Sequence, residues 1–339
     1  SPDFAKSREY YEKALQLDPH YARAYEGLAD YYGFAFANGL LPPEEKWARL
    51  EAQDAEKALA LDPSLGEAYN PLAAVKLYWD RNWPAAERDF RTGLELSPNF
   101  AEMHQHYALC LILFQRNDEA FVEMQRALEL DPLSPRFHFN AGRLHFFARQ
   151  YGEAVAQYRE ALEIEPAFAF AHEWLGYAYE AEGMEKEAIA EWGKMLSLQG
   201  AEKEAAQIAT TAKAKGFAAA VRALAHGNLD RLKAELDKGE YVPASSCALA
   251  ALRAGEKEQA LDWLRKAAGE HNRFALEIAV NPLFDPLRSD PRFQEIVGHI
   301  IPGQSVVVRE TSPRCLPSSH QAMPIFFDIL SREDGEGPH

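Results

Sequence analysis

Residues 9–32 read EYYEKALQLDPHYARAYEGLADYY, and the phrase ALQLDP inside them, closing at Pro19, returns along the chain. It reappears as ALALDP ending at Pro63, GLELSP at Pro98, ALELDP at Pro132 and ALEIEP at Pro166, at intervals of 44, 35, 34 and 34 residues. One further step of 34 reaches Gly200, which ends MLSLQG. A fixed period of this length is what pairs of antiparallel helices require if they are to stack. The closing Pro has no backbone N–H and its ring clashes with the preceding turn, so it stops the second helix of each pair.

The unit that ends at Pro166 shows why the pairs can pack. Its first helix carries Ala141 and Gly142, and its second carries Ala154, Tyr158 and Ala161. Small side chains let two helix axes approach, and the large ring fills the gap between units. A single hairpin leaves an apolar face bare, so each unit must be covered by its neighbour. The predicted fold is therefore all-α, a right-handed α-solenoid of stacked antiparallel helix hairpins.

Several of these positions agree in register between units: Leu175, Gly176, Tyr179, Ala188 and Trp192 in one, Tyr107, Ala108, Leu111, Ala120 and Ala127 in another. This pattern resembles the tetratricopeptide repeat. From about residue 4 to 301, segments such as LYWDRNWPAAERDF and NPLFDPLRSDPRF also resemble the C-terminal repeat region of bacterial multidomain regulators. Those regulators carry a winged-helix, protein kinase or adenylate cyclase domain upstream. The resemblance implies a regulatory or sensory interaction module, cytoplasmic, or periplasmic if the parent has an upstream membrane span.

The sequence divides accordingly. Residues 1–21 read as the second helix of a truncated repeat, with Phe4, Ser7, Tyr11, Ala14 and Pro19 in its positions. The opening thus looks like the cut edge of a longer protein. Residues 22–200 form the array, with an insertion near 33–45 where Pro42 and Pro43 read as a helix start. Residues 201–240 are helical but off register. Residues 241–301 read as a degenerate repeat closed by a capping helix. There Asp290 and Pro291 start a helix, and Phe293, Ile296, Val297 and Ile300 share one face. Residues 302–339 read as a disordered tail, or as one in which Ile325, Phe326, Phe327, Ile329 and Leu330 dock as an apolar anchor.

Charge and composition narrow the function. The 339 residues hold 52 acidic and 36 basic side chains, a formal net charge of −16, the wrong sign for following a phosphate backbone. Cys110, Cys247 and Cys315 form no CxxC pair and give neither a disulfide framework nor a zinc site. No run approaches the roughly 20 apolar residues of a membrane span. No phosphate-binding glycine loop, nucleophile elbow or zinc helix is present, so no cofactor and no enzymatic activity are expected.

Two histidine patterns invite chemistry. His104, His138 and His172 recur every 34 residues, but equivalent points in stacked hairpins lie on the order of 10 Å apart, whereas one zinc ion needs its nitrogens at ~2 Å. Tyr25 and Tyr69 hold the same place in earlier units, which indicates rings packed between helices. His106 and Cys110, four apart, are the one pair that resembles a thiol and its base. Cys110 stands in the apolar run YALCLILF, where it reads as a small hydrophobe.

Binding is expected on the concave side, which the first helix of each unit lines. Outward-turned positions there are Arg23, Glu26 and Asp30, then Glu67, Asn70 and Tyr78, then Glu102, Gln105 and Leu109. Arg136, Phe139, Arg143 and Phe146 follow, and then Phe170, Glu173 and Tyr177. Rings beside guanidinium groups anchor peptides and carboxylates, which makes residues 136–177 the expected hot spot, with Asn70 and Gln105 contributing. Glu26 and Asp30 stand where a carboxylate clamp for chaperone tails needs Lys and Asn, so recognition of such tails is not expected. The expected function is a non-catalytic interaction module for a peptide, a partner protein or a domain of its own parent. The alternatives are a small-ligand sensor using the aromatic and arginine groove and, remotely, an enzyme.

Overall fold

A computed structural model describes residues 2–37, 44–271 and 273–301, the side chains of 2–5 and 36–37 excepted. The Phe4 side chain, Pro42, Pro43 and the tail 302–339 with its apolar cluster thus lie outside the described residues. Among the described residues there is no strand. After α1 (Pro2–Leu17) the helices come in antiparallel pairs: α2 (Ala22–Ala37) with α3 (Glu45–Leu61), and α4 (Tyr69–Ala74) with α5 (Trp83–Leu96). Next are α6 (Ala101–Leu113) with α7 (Asn117–Leu130), α8 (Pro135–Phe147) with α9 (Tyr151–Ile164), and α10 (Ala169–Ala181) with α11 (Glu185–Leu198). Then come α12 (Glu202–Lys215) and α13 (Phe217–Asp237), joined at Gly216 with φ 86°, and α14 (Ala244–Ala254) with α15 (Lys257–Ala268). A short α16 (Arg273–Glu277), a 3-10 turn (Pro282–Leu287) and α17 (Pro291–Ile300) follow.

The small positions do what close packing requires. A Cβ on Gly142 would stand 2.5 Å from the Tyr158 ring, and one on Gly176 would stand 2.3 Å from Trp192 Nε1. Tyr158 and Trp192 are fully buried in those notches. Twelve residues before each closing position, Ala86, Ala120, Ala154 and Ala188 are each 0% exposed. Asp290 caps α17 by accepting from Arg292 N, and Phe293, Ile296, Val297 and Ile300 are buried.

The unequal spacings have distinct backbone causes. α2 and α3 run 16 and 17 residues against 13 and 14 for α6 and α7, so part of the extra length of the 44-residue interval adds about a turn to each helix. The single extra residue in the 35-residue interval is taken up by a π-helical turn over Val75–Trp79, where Asp80 N donates to the Val75 carbonyl at 3.0 Å. At the turn inside four successive pairs the chain passes through left-handed backbone at Arg81 (φ 51°), Gln115 (59°), Arg149 (65°) and Gly183 (74°). Only the last is the residue that conformation favours.

Candidate partner-binding groove

The periodic histidines are joints. His104, His138 and His172 each set Nε2 3.1 Å from the carbonyl of the Pro six residues earlier, namely Pro98, Pro132 and Pro166. Their Nδ1 atoms meet Glu123 Oε2 at 2.6 Å, Gln157 Oε1 at 2.9 Å and Glu191 Oε2 at 2.5 Å, on the second helix of each pair. In the first full unit the Tyr25 hydroxyl donates to the Pro19 carbonyl at 3.4 Å, the same joint made by another ring. Each ring satisfies a carbonyl just past the preceding helix, a group left without an intrahelical partner. Among the described residues no set of His, Cys, Asp and Glu could hold a metal ion.

His106 and Cys110 are likewise placed for packing. Burial pushes the Cys110 thiol up to about 12, far from a thiolate at neutral pH. Burial, with the charges of Arg136 and Arg273, pushes His106 down to about 3, and its Nδ1 lies 2.8 Å from Asn70 Oδ1.

The expected groove residues divide by exposure. Arg136 and Phe170 face solvent, Phe170 at 63% exposure, and Arg136 lies 3.5 Å from Glu102 Oε1. Glu173 is half-buried and accepts from the Tyr177 hydroxyl at 3.0 Å, and burial raises its pKa. The other six correct the expectation that they turn outward: Asn70, Gln105, Phe139, Arg143, Phe146 and Tyr177 are all buried. What covers several of them is the chain's own later part. Glu277 on α16 makes an ion pair with Arg143, whose guanidinium also lies 5.2 to 5.8 Å from the ring centres of Trp174, Phe147 and Phe139. Arg253 on α14 reaches Glu180 Oε2 at 2.8 Å and lies 4.8 Å from the Tyr177 ring centre. Leu109, expected outward as well, is 7% exposed.

Within residues 2–301 the helix stack curls far enough for its later part to meet α4 and α8. Arg81 donates to the carbonyls of Ala268 at 2.8 Å, Glu270 at 3.1 Å and His299 at 3.2 Å. The His271 ring stacks on Trp79 with centres 4.5 Å apart, and its Nδ1 lies 2.8 Å from the Trp79 carbonyl. Arg149 binds Asp285 through both Nη atoms. Arg81 and Arg149 hold two of the left-handed positions, and Trp79 closes the π turn. The sequence signal for this clasp was the 35-residue interval, one residue longer than its neighbours.

On the N-terminal side the inner face is acidic. Asp30 is pushed well above the usual carboxylate range by burial and by the nearby charge of Glu26, to which it is hydrogen-bonded, and by Glu102 and Glu67. Burial raises Glu26 as well. Glu51 is 5% exposed in the slot that holds Ala86, Ala120, Ala154 and Ala188 elsewhere, and burial raises it well above its ordinary value, with Asp30 adding. Its Oε1 rests 2.7 Å from where a Cβ on Gly33 would stand.

Family models for the tetratricopeptide repeat match residues 3–21 and 72–135, and a TPR-repeat model matches residues 150–183. Among solved structures, the APC/C hetero-tetramer Cut9–Hcn1 aligns with a TM-score of 0.50 at 16% identity, covering 78% of this chain and 46% of that one. YrrB, described as a TPR protein with an unusual peptide-binding site, aligns with a TM-score of 0.40 at 19% identity, covering 60% of this chain and 99% of that one. PilW, described as a type IV pilus biogenesis factor, gives 0.46 at 18% identity over 81% of this chain and 98% of its own. At these identities the likeness speaks to the fold alone.

Proposed function

Because the chain carries tetratricopeptide repeats, we propose that it is a non-catalytic protein-interaction scaffold, the regulatory or sensory part of a larger bacterial protein. Where α14 and α16 cover the depth of the concave side, its partner lies along the rim. The observation that carries this reading is the split in exposure. The positions four residues after each closing Pro, Arg23, Glu67, Glu102, Arg136 and Phe170, stay exposed or half-buried, while the deeper Arg143 and Tyr177 are met by α16 and α14. An aromatic ring as exposed as Phe170, with the exposed guanidinium of Arg136 at the matching position of the preceding unit, is the composition of an interface anchor. A metabolite pocket built on Arg143 and its rings has less support, because Glu277 already fills the place a ligand carboxylate would take.

A photo-crosslinking residue at position 170, compared with one at the equally exposed Val122 on α7, tests this in the native host. The expected result is one discrete adduct from position 170 that is lost on Arg136→Glu. Equal labelling from both positions, or none from 170, refutes it.

A further inference from the structure

Three half-buried acids gather on α2 and the 3-10 turn Gly66–Ala68 that leads into α4: Glu26, Asp30 and Glu67. Several carboxylates on the later helices find cations: Glu87 takes Arg91 and Arg116, Glu102 takes Arg136, and Glu180 takes Arg253. Glu26, Asp30, Glu51 and Glu67 have no ion pair among the described residues, and the one cation that acts on Glu26 is the exposed Arg23. Glu51 adds an observation independent of the surface charges. It is a carboxyl side chain 5% exposed, with no hydrogen-bond partner among the described residues, in a slot where four other units place a fully buried Ala. Ala would fit there and cost nothing in desolvation, whereas burying an unpaired carboxylate is expensive. A sequence that breaks its own packing rule at one unit does so where function asks for it. The carboxyl rests against α2 at Gly33, one turn from Asp30, and so adds its charge to the same cluster.

We infer that the inner face of α2, with the 3-10 turn Gly66–Ala68 that leads into α4, docks a cationic segment of a partner protein, with a lysine or arginine side chain seated among Glu26, Asp30 and Glu67. This rests on the scaffold reading and names the chemistry of the partner. Charge complementarity selects the occupant. A second copy of the chain brings a net charge of −16 and is repelled, and an acidic tail meets like charge. A seated cation also favours the charged forms of the Asp30 and Glu26 carboxyls, which burial first, and then neighbouring carboxylates such as Glu67, hold toward protonation.

The full chain is titrated calorimetrically with a short alternating Lys–Ala peptide, its Glu–Ala counterpart and Ca²⁺ alone, at low and at high salt. Binding of the Lys–Ala peptide is expected, weakening with salt, at least about tenfold weaker in Asp30→Asn and in Glu67→Gln, and unchanged in Glu163→Gln, which removes an exposed acid from α9. Hydrogen exchange should show protection confined to α2 and residues 66–74. Thermal melts identify any variant that fails to fold, and Glu67→Gln, at a half-buried position, carries the test if Asp30→Asn does fail. No binding of the Lys–Ala peptide, equal loss in Glu163→Gln, or binding of Ca²⁺ or the Glu–Ala peptide in its place overturns the inference. If position 170 still crosslinks a partner in that case, the scaffold reading stands without it.

Discussion

Removing the carboxylate of Glu277 should loosen the hold of α16 on α8 by an amount the structure lets one bound. Arg143 is 2% exposed and Glu277 9%, so neither charge can turn to water when its partner is lost. Breaking a buried ion pair of this kind costs about 3 to 5 kcal/mol. Two features place Glu277→Gln at the lower end. Arg143 keeps the faces of Phe139, Phe147 and Trp174, each of which attracts a cation, and it keeps Asn140 Oδ1 at 3.2 Å. The expected loss is about 3 kcal/mol, and the same for Arg143→Met, which strands the carboxylate instead. Replacing both together leaves no orphaned charge. The double variant should lose about 3 kcal/mol, no more than either single, rather than the sum of about 6, a coupling of about 3 kcal/mol. Urea unfolding of the four proteins measures this, followed by far-UV circular dichroism and by tryptophan fluorescence, since Trp174 touches the pair and repeat arrays can unfold in stages. Single variants that cost under about 1 kcal/mol and add without coupling would show that α16 is held by its apolar residues and that the pair contributes little.

Other expectations follow from the same geometry. Replacing His138 by Ala removes its links to the Pro132 carbonyl and Gln157, and should cost about 2 kcal/mol in urea unfolding, at about 1 kcal/mol per hydrogen bond. Burial raises Asp54 from 3.8 to about 6. A folded-state pKa above the unfolded one means that this group favours folding below about pH 4 and loses that contribution as pH rises to about 6. The shift corresponds to at most about 3 kcal/mol, halved to about 1.5 kcal/mol because Asp54 is only half-buried. Asp54→Asn should therefore raise the melting temperature at about pH 8 and leave it unchanged at about pH 4. Gln115 holds left-handed backbone where the next-but-one unit has Gly183, so Gln115→Gly should stabilise by about 0.5 kcal/mol, the strain relieved exceeding the entropy added to the unfolded chain. Arg81→Ala should raise hydrogen exchange over residues 75–82 and 268–271 while α10 and α11 stay protected, because the three carbonyls Arg81 holds belong to that contact alone.

The helix pairs were legible because their causes are local. Pro at each closing position and Gly142 or Gly176 opposite a large ring are readable from one unit at a time. The histidine series could be read as rings packed between helices, yet its partners, the carbonyls of Pro98, Pro132 and Pro166, lie in a backbone geometry that spacing does not reveal. Exposure of the groove was the part that periodicity could not carry. The repeat spacing assigns Phe139, Arg143 and Tyr177 to inward-lining positions, but whether water reaches them depends on contacts such as Arg143 with Glu277 and Arg253 with Glu180, between residues far apart in the chain. Two signals were available and specific. One was the 35-residue interval that becomes the π turn beside Trp79. The other was Glu51 in an alanine slot.

The clasp at Arg81 has a bearing on how such a chain can change over time. Open repeat arrays tolerate the gain or loss of whole units, since each unit touches only its neighbours. Here Arg81 must find the Ala268 and Glu270 carbonyls, and Arg149 must find Asp285, so the number of units between them is set by a closure condition. Duplicating or deleting one unit between Asn99 and Pro166 would leave every local interface intact and still carry the two ends of the clasp out of reach. Substitutions on the rim remain free to drift, while the count of units does not.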